Sequence, residues 1–242
     1  MKKLLWLIAL SAAVSAVAQD RWPKPSSASR KYHEYRIEMT EPTFGLAKVK
    51  AIIAKIKPDS EENQRLTNKR FNSLSFEEKF TFTMIHAEDF AQNCDVMPPI
   101  MDEQKKIFAF TPDGLGEEQT WSDRQRDFLT KNRAKVIALL RSTIRTRHRV
   151  GANLKQAIEL LDANELIPDV IAVYRRDRKD HDILTMLMLL MKDAKYKPFL
   201  ASGLYAKLYA DEGTSYKAFV AADAAHERPI LDLATAFSKS KK

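Results

Sequence analysis

The stretch Met186-Leu187-Met188-Leu189-Leu190-Met191 decides the fold class. Leucine and methionine are strong helix formers, so these six residues predict a helix that is apolar on every side. Such a helix is buried in a core or in an interface, because it has no polar face to turn towards water. It is too short to span a bilayer, which takes roughly 20 apolar residues. We therefore expect a buried helix in a mainly α-helical protein.

Helical spacing continues on both sides of this stretch. Apolar residues recur at helical intervals, with polar turns between the segments, over residues 154–161, 166–174, 183–191 and 199–209. A final helix is predicted at 227–237, with Pro229 in its first turn, where proline is tolerated. Short helices joined by short turns predict stacked helical hairpins in the C-terminal half of the chain.

One of these segments resembles a known repeat. The residues Ile167-Pro168-Asp169-Val170-Ile171 resemble the start of the second helix in HEAT and armadillo repeats. The resemblance covers under half of the chain, and no fixed period runs through three units. It implies a helical-repeat scaffold with a concave surface for a partner protein.

Two capping-box patterns mark helix starts in the N-terminal half. They are Ser75 with Glu78 and Ser122 with Gln125. The first predicts a helix to about residue 93, and the second predicts one long helix that ends near Gly151. Apolar spacing predicts a further helix over 42–57, and a short polar helix over 60–69.

The remaining segments are predicted to be extended. Residues 19–41 begin with a proline- and serine-rich run and predict an extended arm, in which 32–40 alternates as a strand does. The region 95–121 is a long irregular connection in which 105–111, followed by turn residues, favours a small β-hairpin. Residues 42–242 are interpreted as one helical domain, with 42–149 and 150–242 as candidate sub-units.

The first 18 residues have the pattern of a secretory signal peptide. Lys2 and Lys3 precede an apolar run, and the small residues Ala16-Val17-Ala18 fit a cleavage site. Cleavage after Ala18 would leave Gln19 as the first residue. This pattern predicts a periplasmic or secreted protein with no transmembrane segment after cleavage.

Charge and cysteine usage limit the partners and the sources of stability of the chain. The formal net charge is +8, and it falls to +6 when the two signal lysines are removed. Nucleic acid is not expected as a partner outside the cytoplasm, so the positive charge indicates an anionic envelope component or another protein as a partner. The alternative is that the surface lysines only keep the protein soluble. Cys94 is the single cysteine, so no internal disulfide can form and stability must come from packing.

The densest set of reactive side chains lies at 84–95. In a helix His86, Asp89 and Asn93 would share one face, and Glu88 lies beside them, so a carboxylate could orient the imidazole for general base catalysis. The alternative is a hydrogen-bonded pair near the core. The two-histidine spacing of zinc proteases is absent, and neither a metal nor a cofactor is expected. This set is the basis of a hydrolase hypothesis.

Asp180-His181-Asp182 has the composition of a metal cluster, but it lies where a helix should begin. Acidic side chains at that position satisfy free helix amides and favour the helix dipole. We interpret the three residues as a helix cap.

Two surfaces favour binding rather than catalysis. The helix predicted after Ser122 is strongly basic, and Arg133, Arg141 and Arg145 could bind carboxylate or phosphate groups. The alternative is a solvated face paired with acids of neighbouring helices.

The second surface is aromatic and surrounds the irregular region. Its residues could form a platform for a ligand, or they could anchor the loop to the core. They are Phe108, Phe110 and Trp121. The sequence thus favours an exported binding or assembly protein over an enzyme.

Overall fold

Helices make up most of the chain in this computed structural model, which describes residues 22–92, 99–116, 118–210 and 218–240. In chain order the described helices are α1 (Ser27–Ile37), α2 (Leu46–Ile53), α3 (Asn68–Asn72), α4 (Phe76–Ile85), α5 (Asp123–Lys131), α6 (Arg133–Arg147), α7 (Ala152–Leu160), α8 (Ile167–Asp177), α9 (His181–Asp193), α10 (Lys197–Leu200), α11 (Gly203–Tyr209) and α12 (Ala224–Ser240). The described strands are β1 (Asp89–Phe90), β2 (Lys106–Phe108), β3 (Gln119–Thr120) and β4 (Phe219–Ala221). The predicted mainly α-helical, multi-helix fold is confirmed.

Helix α9 contains the apolar stretch at 186–191 and lies in the core. Every residue from Asp182 to Met191 is buried. Helices α7, α8, α10 and α12 and strand β2 pack around it. Burial of each leucine or methionine side chain stabilises the fold by about 1.5–3 kcal/mol, so α9 accounts for a large share of the packing energy. The prediction that this stretch is buried is correct.

A second, smaller apolar cluster lies beneath α2, α3 and α4. Its buried members are Val49, Ile52, Leu66, Phe71, Leu74 and Phe82. Phe71 and Phe82 meet edge to face with ring centroids 5.9 Å apart, a favourable aromatic geometry. Ile85, at the end of α4, packs against both this cluster and the main core, so α4 links the two.

The strands form two short antiparallel pairs. Strand β1 pairs with β3, which joins the two ends of the irregular region. Strand β2 pairs with β4, with Ile107 opposite Val220. The fold therefore has a small hairpin-like pairing at this region, as predicted, but the partner of β2 comes from more than 100 residues further along the chain. The apolar side chains of Ile107 and Val220 are both buried in the main core, which favours this distant partner.

The N-terminal segment differs from its prediction. Residues 27–37 form helix α1 rather than a strand or an extended arm, and the Ser26 side chain accepts the amide of Ser29 as its N-cap. Tyr32 and Arg36, four residues apart, are both buried, so the buried face follows the helical period. The alternation of Tyr35, Ile37 and Met39 suggested a strand, but Ile37 and Met39 are exposed.

Several predicted helix ends also differ. Helix α4 ends at Ile85 rather than near residue 93, and the predicted long helix is broken at Asn132 into α5 and α6. Helix α6 ends at Arg147 and is followed by His148, which has a left-handed backbone (φ 52°), whereas Gly151 is the N-cap of α7. In place of the polar helix at 60–69 the structure has a turn followed by α3.

A candidate anion-binding pocket

The early end of α4 separates the residues of the hydrolase hypothesis. His86 is extended (φ −150°), so it does not share a helical face with Asp89, and Asn93 lies outside the described residues. The His86 ring is buried against Phe82, and its Nε2 lies 2.7 Å from the carbonyl oxygen of Gln64. Burial lowers the pKa of His86, so the neutral ring donates its Nε2 hydrogen to that carbonyl.

The neighbouring carboxylates are held by other residues of the chain. Glu88 is fully buried and binds the guanidinium of Arg124 and, at 2.7 Å, the hydroxyl of Ser122. Asp89 accepts a hydrogen bond from Nε of Arg65 at 2.7 Å. Because His86, Glu88 and Asp89 all bind structural partners, the geometry gives no support to catalysis at this position.

Three basic residues between the first and the last turn of α6 are paired with acids. Arg133 makes two hydrogen bonds to Glu165, at 2.7 and 2.9 Å. Arg141 and Arg145 both bind Asp169, at 3.0 and 2.8 Å. These pairs join α6 to the short turn before α8 and to the first turn of α8, and they neutralise much of the positive charge that the sequence places there.

The three aromatic residues do not form one platform. Trp121 is buried and donates from Nε1 to the carbonyl of Thr83 at 2.6 Å. Phe108 is also buried, with the guanidinium carbon of Arg36 4.2 Å from its ring centroid. Of the three, Phe110 alone is exposed, at 38%. Trp121 and Phe108 thus anchor the irregular region to the core.

The Asp180-His181-Asp182 cluster does not cap α9 as predicted. Asp180 occupies the N-cap position, but its carboxylate binds Nζ of Lys155, with both oxygens at 2.8 Å. Asp182 makes two 2.9 Å hydrogen bonds to Arg36, which also binds Glu103 at 2.8 Å. Each acid lies next to a buried cation, and in a medium of low dielectric this pairing outweighs a bond to a helix amide.

A concave pocket of about 230 Å³ lies where the end of α6 meets α1 and the turn between α8 and α9. Four cationic side chains line it: Arg147, Arg149, Arg176 and Lys179. Its two carboxylates are Asp177 and Asp180, and Asp180 is already paired with Lys155. The pocket therefore carries an excess of positive charge.

Two helix ends bring these cations together. Helices α6 and α8 are each followed by a left-handed residue, His148 and Arg178, which turns the chain sharply. Arg176 donates from Nη2 to the carbonyl of His148 at 2.7 Å and so joins the two ends. Basic residues in the last turn of a helix also interact favourably with the helix dipole.

Tyr35 of α1 completes the wall. The guanidinium carbon of Arg149 and Nζ of Lys179 lie 4.1 and 4.0 Å from its ring centroid, which are cation-π distances. Burial raises the pKa of Tyr35 to about 12, so the phenol stays protonated at neutral pH and can donate a hydrogen bond.

Arg149 retains a hydrogen-bond donor. Its Nη2 donates to the carbonyl of Tyr35 at 2.7 Å and lies 3.1 Å from a carboxylate oxygen of Glu38. Its Nε is buried and has no acceptor among the described residues. An acceptor oxygen from an anion that entered the pocket could satisfy this donor.

The sequence contains the parts of this pocket but does not show that they meet. Arg147 and Arg149 belong to the strongly basic stretch after Ser122, whereas Arg176 and Lys179 lie in a polar turn between two predicted helices. Tyr35 lies in the predicted extended arm. The arginine-rich turn at 175–180 was the available signal, but its proximity to Arg149 and Tyr35 depends on the tertiary fold.

Comparison of the chain with protein families, curated proteins and solved structures gives no match. None of the described helices has an apolar stretch long enough to cross a membrane. Within the described parts of the chain, no group of three or more His, Cys, Asp or Glu side chains could hold a metal ion. Function is therefore inferred from the geometry of the chain itself.

Proposed function

We propose that this protein is an exported binding protein that docks on an anionic envelope surface, with a phosphate group held in the pocket beside Tyr35. The observation that carries the proposal is the concentration of Arg147, Arg149, Arg176 and Lys179 around one concavity. Guanidinium groups bind phosphate through paired hydrogen bonds, so three of them with one ammonium suit such a group.

The contrast within α6 supports this location. Arg133, Arg141 and Arg145 are paired with Glu165 and Asp169, so a ligand would have to compete with bound carboxylates. At the end of the helix, Arg149 and Arg176 lie 3.1 and 3.6 Å from carboxylate oxygens of Glu38 and Asp177, two exposed acids. Arg147 and Lys179 form no ion pair with an acid in the described parts of the chain, so their positive charge is available to an anion.

The size of the pocket supports a small ligand group. Pockets that enclose drug-sized molecules have volumes of about 300–1,000 Å³. At about 230 Å³ the Tyr35 pocket suits one charged group rather than a whole cofactor. A lipid headgroup phosphate at the envelope surface has the size and the charge that this geometry favours.

Export is part of the proposal and rests on the signal pattern at residues 1–18. When the full chain is expressed in a bacterial host, N-terminal sequencing of the periplasmic fraction should find Gln19 first. A chain that keeps Met1 and stays in the cytoplasm would refute export without affecting the pocket.

Vesicle co-sedimentation tests the docking function. The protein should bind phosphatidylglycerol vesicles and not phosphatidylcholine vesicles, and binding should weaken as salt is raised from about 50 to about 300 mM. The double variant Arg176→Gln/Lys179→Gln removes two cations from the pocket. Because a cation near an anionic surface contributes about 1 kcal/mol, this variant should bind roughly thirtyfold more weakly.

The control is Arg133→Gln/Arg141→Gln, which removes the same charge from the paired part of α6. It should bind within about threefold of the native protein, because its arginines are already neutralised by acids. Equal loss of binding in both variants would point to net charge alone and would refute docking through the pocket.

A further inference from the structure

Two large apolar side chains are exposed directly after Tyr35 in the chain. Ile37, the last residue of α1, is 45% exposed, and Met39, two residues further on, is 37% exposed. Two residues of extended chain span at most about 7 Å, so these side chains lie close together. A single exposed apolar residue needs no explanation, but two together beside a cationic pocket indicate an interaction surface. We call Ile37 and Met39 the apolar pair.

The segment that carries the apolar pair is bonded to the pocket on both sides of the pair. Before the pair, Arg149 donates from Nη2 to the carbonyl of Tyr35 at 2.7 Å. After the pair, Arg147 donates from Nε to the carbonyl of Glu41 at 2.8 Å. Both arginines line the pocket. The apolar pair is therefore held at the rim of the Tyr35 pocket.

The charge around the apolar pair favours an anionic partner. Arg147 and Lys179 are exposed and form no ion pair with an acid in the described parts of the chain. Glu38 lies between the two apolar residues, but its carboxylate is 3.1 Å from Nη2 of Arg149, so its negative charge is offset. Exposed apolar surface and free positive charge thus meet at one rim.

A second exposed pair of the same residue types lies at the opposite end of α1. Ile100 and Met101 are 43% and 36% exposed. The carbonyl of Ile100 accepts a hydrogen bond from Oγ of Ser29 at 3.2 Å. At 1.5 Å per residue, Ser29 is about 12 Å from Ile37 along the helix. This second pair is remote from the pocket and provides a matched control for the first.

We infer that the apolar pair inserts into the headgroup region of a lipid bilayer while the Tyr35 pocket holds a lipid phosphate. Interfacial binding depends on buried apolar area and on attraction to anionic lipids, and this rim provides both. Tyr35 suits the same depth, because an aromatic ring with a polar tip favours the membrane interface. The inference rests on the proposed docking function and deepens it, because the partner is a bilayer and not a free phosphate compound.

Removal of the apolar surface tests the inference without changing the charge. Ile37→Gln/Met39→Gln should bind phosphatidylglycerol vesicles about tenfold more weakly than the native protein. Its affinity for inorganic pyrophosphate should stay within about twofold, because a free anion uses the pocket but not the apolar pair. The control Ile100→Gln/Met101→Gln should bind both ligands within about twofold of the native protein. If the first double variant does not fold, Met39→Gln, outside α1, replaces it.

Spin-labelled lipid locates the inserted side chains. The native protein is bound to bicelles rich in phosphatidylglycerol that contain a doxyl-labelled lipid. The methyl NMR signals of Ile37 and Met39 should broaden, and those of Ile100 and Met101 should not.

The outcomes separate the inference from the proposed function. Equal vesicle affinity of the native protein and the Ile37/Met39 variant would overturn insertion and leave phosphate capture standing, as would broadening confined to Ile100 and Met101. Binding of pyrophosphate without binding of vesicles would also overturn insertion, because the ligand would then be a free phosphate compound. A native protein that binds neither would refute the docking function and the inference together.

Discussion

At the residue scale, Arg36 holds α1 to the body of the protein. It is 5% exposed and binds Asp182 and Glu103, which are 1% and 3% exposed. A buried ion pair contributes little net stability compared with an apolar pair, but removal of one partner leaves an unpaired buried charge. Here the loss would leave two carboxylates without their arginine.

Arg36→Ala should therefore lower the free energy of unfolding by about 3–5 kcal/mol. Urea denaturation followed by circular dichroism measures this change. The control Lys31→Ala alters an exposed residue of the same helix and should stay within about 0.5 kcal/mol of the native protein. A loss below about 1 kcal/mol for Arg36→Ala would contradict the buried arrangement.

Glu159 makes stability depend on pH. Burial raises its pKa to about 7, from an ordinary value of 4.5, while the hydroxyl of Thr111, 3.1 Å away, opposes the rise. Between these two pH values the unfolded chain has lost the proton and the folded chain keeps it. Stability therefore falls as pH rises through this window, by on the order of 2–3 kcal/mol.

Glu159→Gln should remove this part of the pH dependence. Relative to the native protein, the variant should gain stability between about pH 4.5 and about pH 7 and show a constant difference at higher pH. Urea denaturation at several pH values measures the difference. An unchanged pH dependence of stability in Glu159→Gln would refute the role of burial.

At the element scale, residue spacing predicted where helices lie better than where they end. The capping boxes at Ser75 and Ser122 located the starts of α4 and α5. Helix α4 ends at Ile85 because distant donors bind its last carbonyls: Trp121 binds Thr83, and Asn153 binds Met84. No local pattern could have predicted contacts between residues so far apart in the sequence.

The start of α7 depends on close backbone contact with the segment after α1. The amide of Gly151 donates to Oγ1 of Thr40 at 2.8 Å, and Asn153 bonds both backbone groups of Thr40. A Cβ atom at position 151 would lie 2.3 Å from the Thr40 nitrogen, so a side chain cannot fit there. The close approach of the two backbones therefore requires glycine at position 151. The residue does not serve to end the preceding helix, as its position in the sequence suggested.

Gly151→Ala should therefore destabilise the protein by about 2 kcal/mol or more, since the clash is with backbone that cannot move freely. Gly203→Ala, at the start of α11, is the matched control because nothing lies within 4 Å of its added Cβ. That change should stabilise the protein by about 0.5 kcal/mol through the unfolded state. Thermal denaturation measures the stability of both variants. Equal changes in stability for Gly151→Ala and Gly203→Ala would refute the close approach at Gly151.

At the scale of the whole molecule, the sequence predicted the fold class but not the location of the charge. The composition and the stretch at 186–191 are sufficient for a helical protein with an apolar core, since both depend on local propensity and pattern. The basic residues of α6 are conspicuous in the sequence, yet Glu165 and Asp169 neutralise Arg133, Arg141 and Arg145. The positive charge that remains lies at the end of α6, where Tyr35 and the turn after α8 meet it.

The most direct test of the central claim is an NMR titration of the folded protein with inorganic pyrophosphate at low salt. If the pocket captures a phosphate group, the largest amide shifts should fall at Tyr35, Arg149, Arg176 and Lys179, and they should disappear in Arg176→Gln/Lys179→Gln. Shifts centred on Arg133, Arg141 and Arg145, or no saturable shifts at all, would contradict anion capture in the Tyr35 pocket.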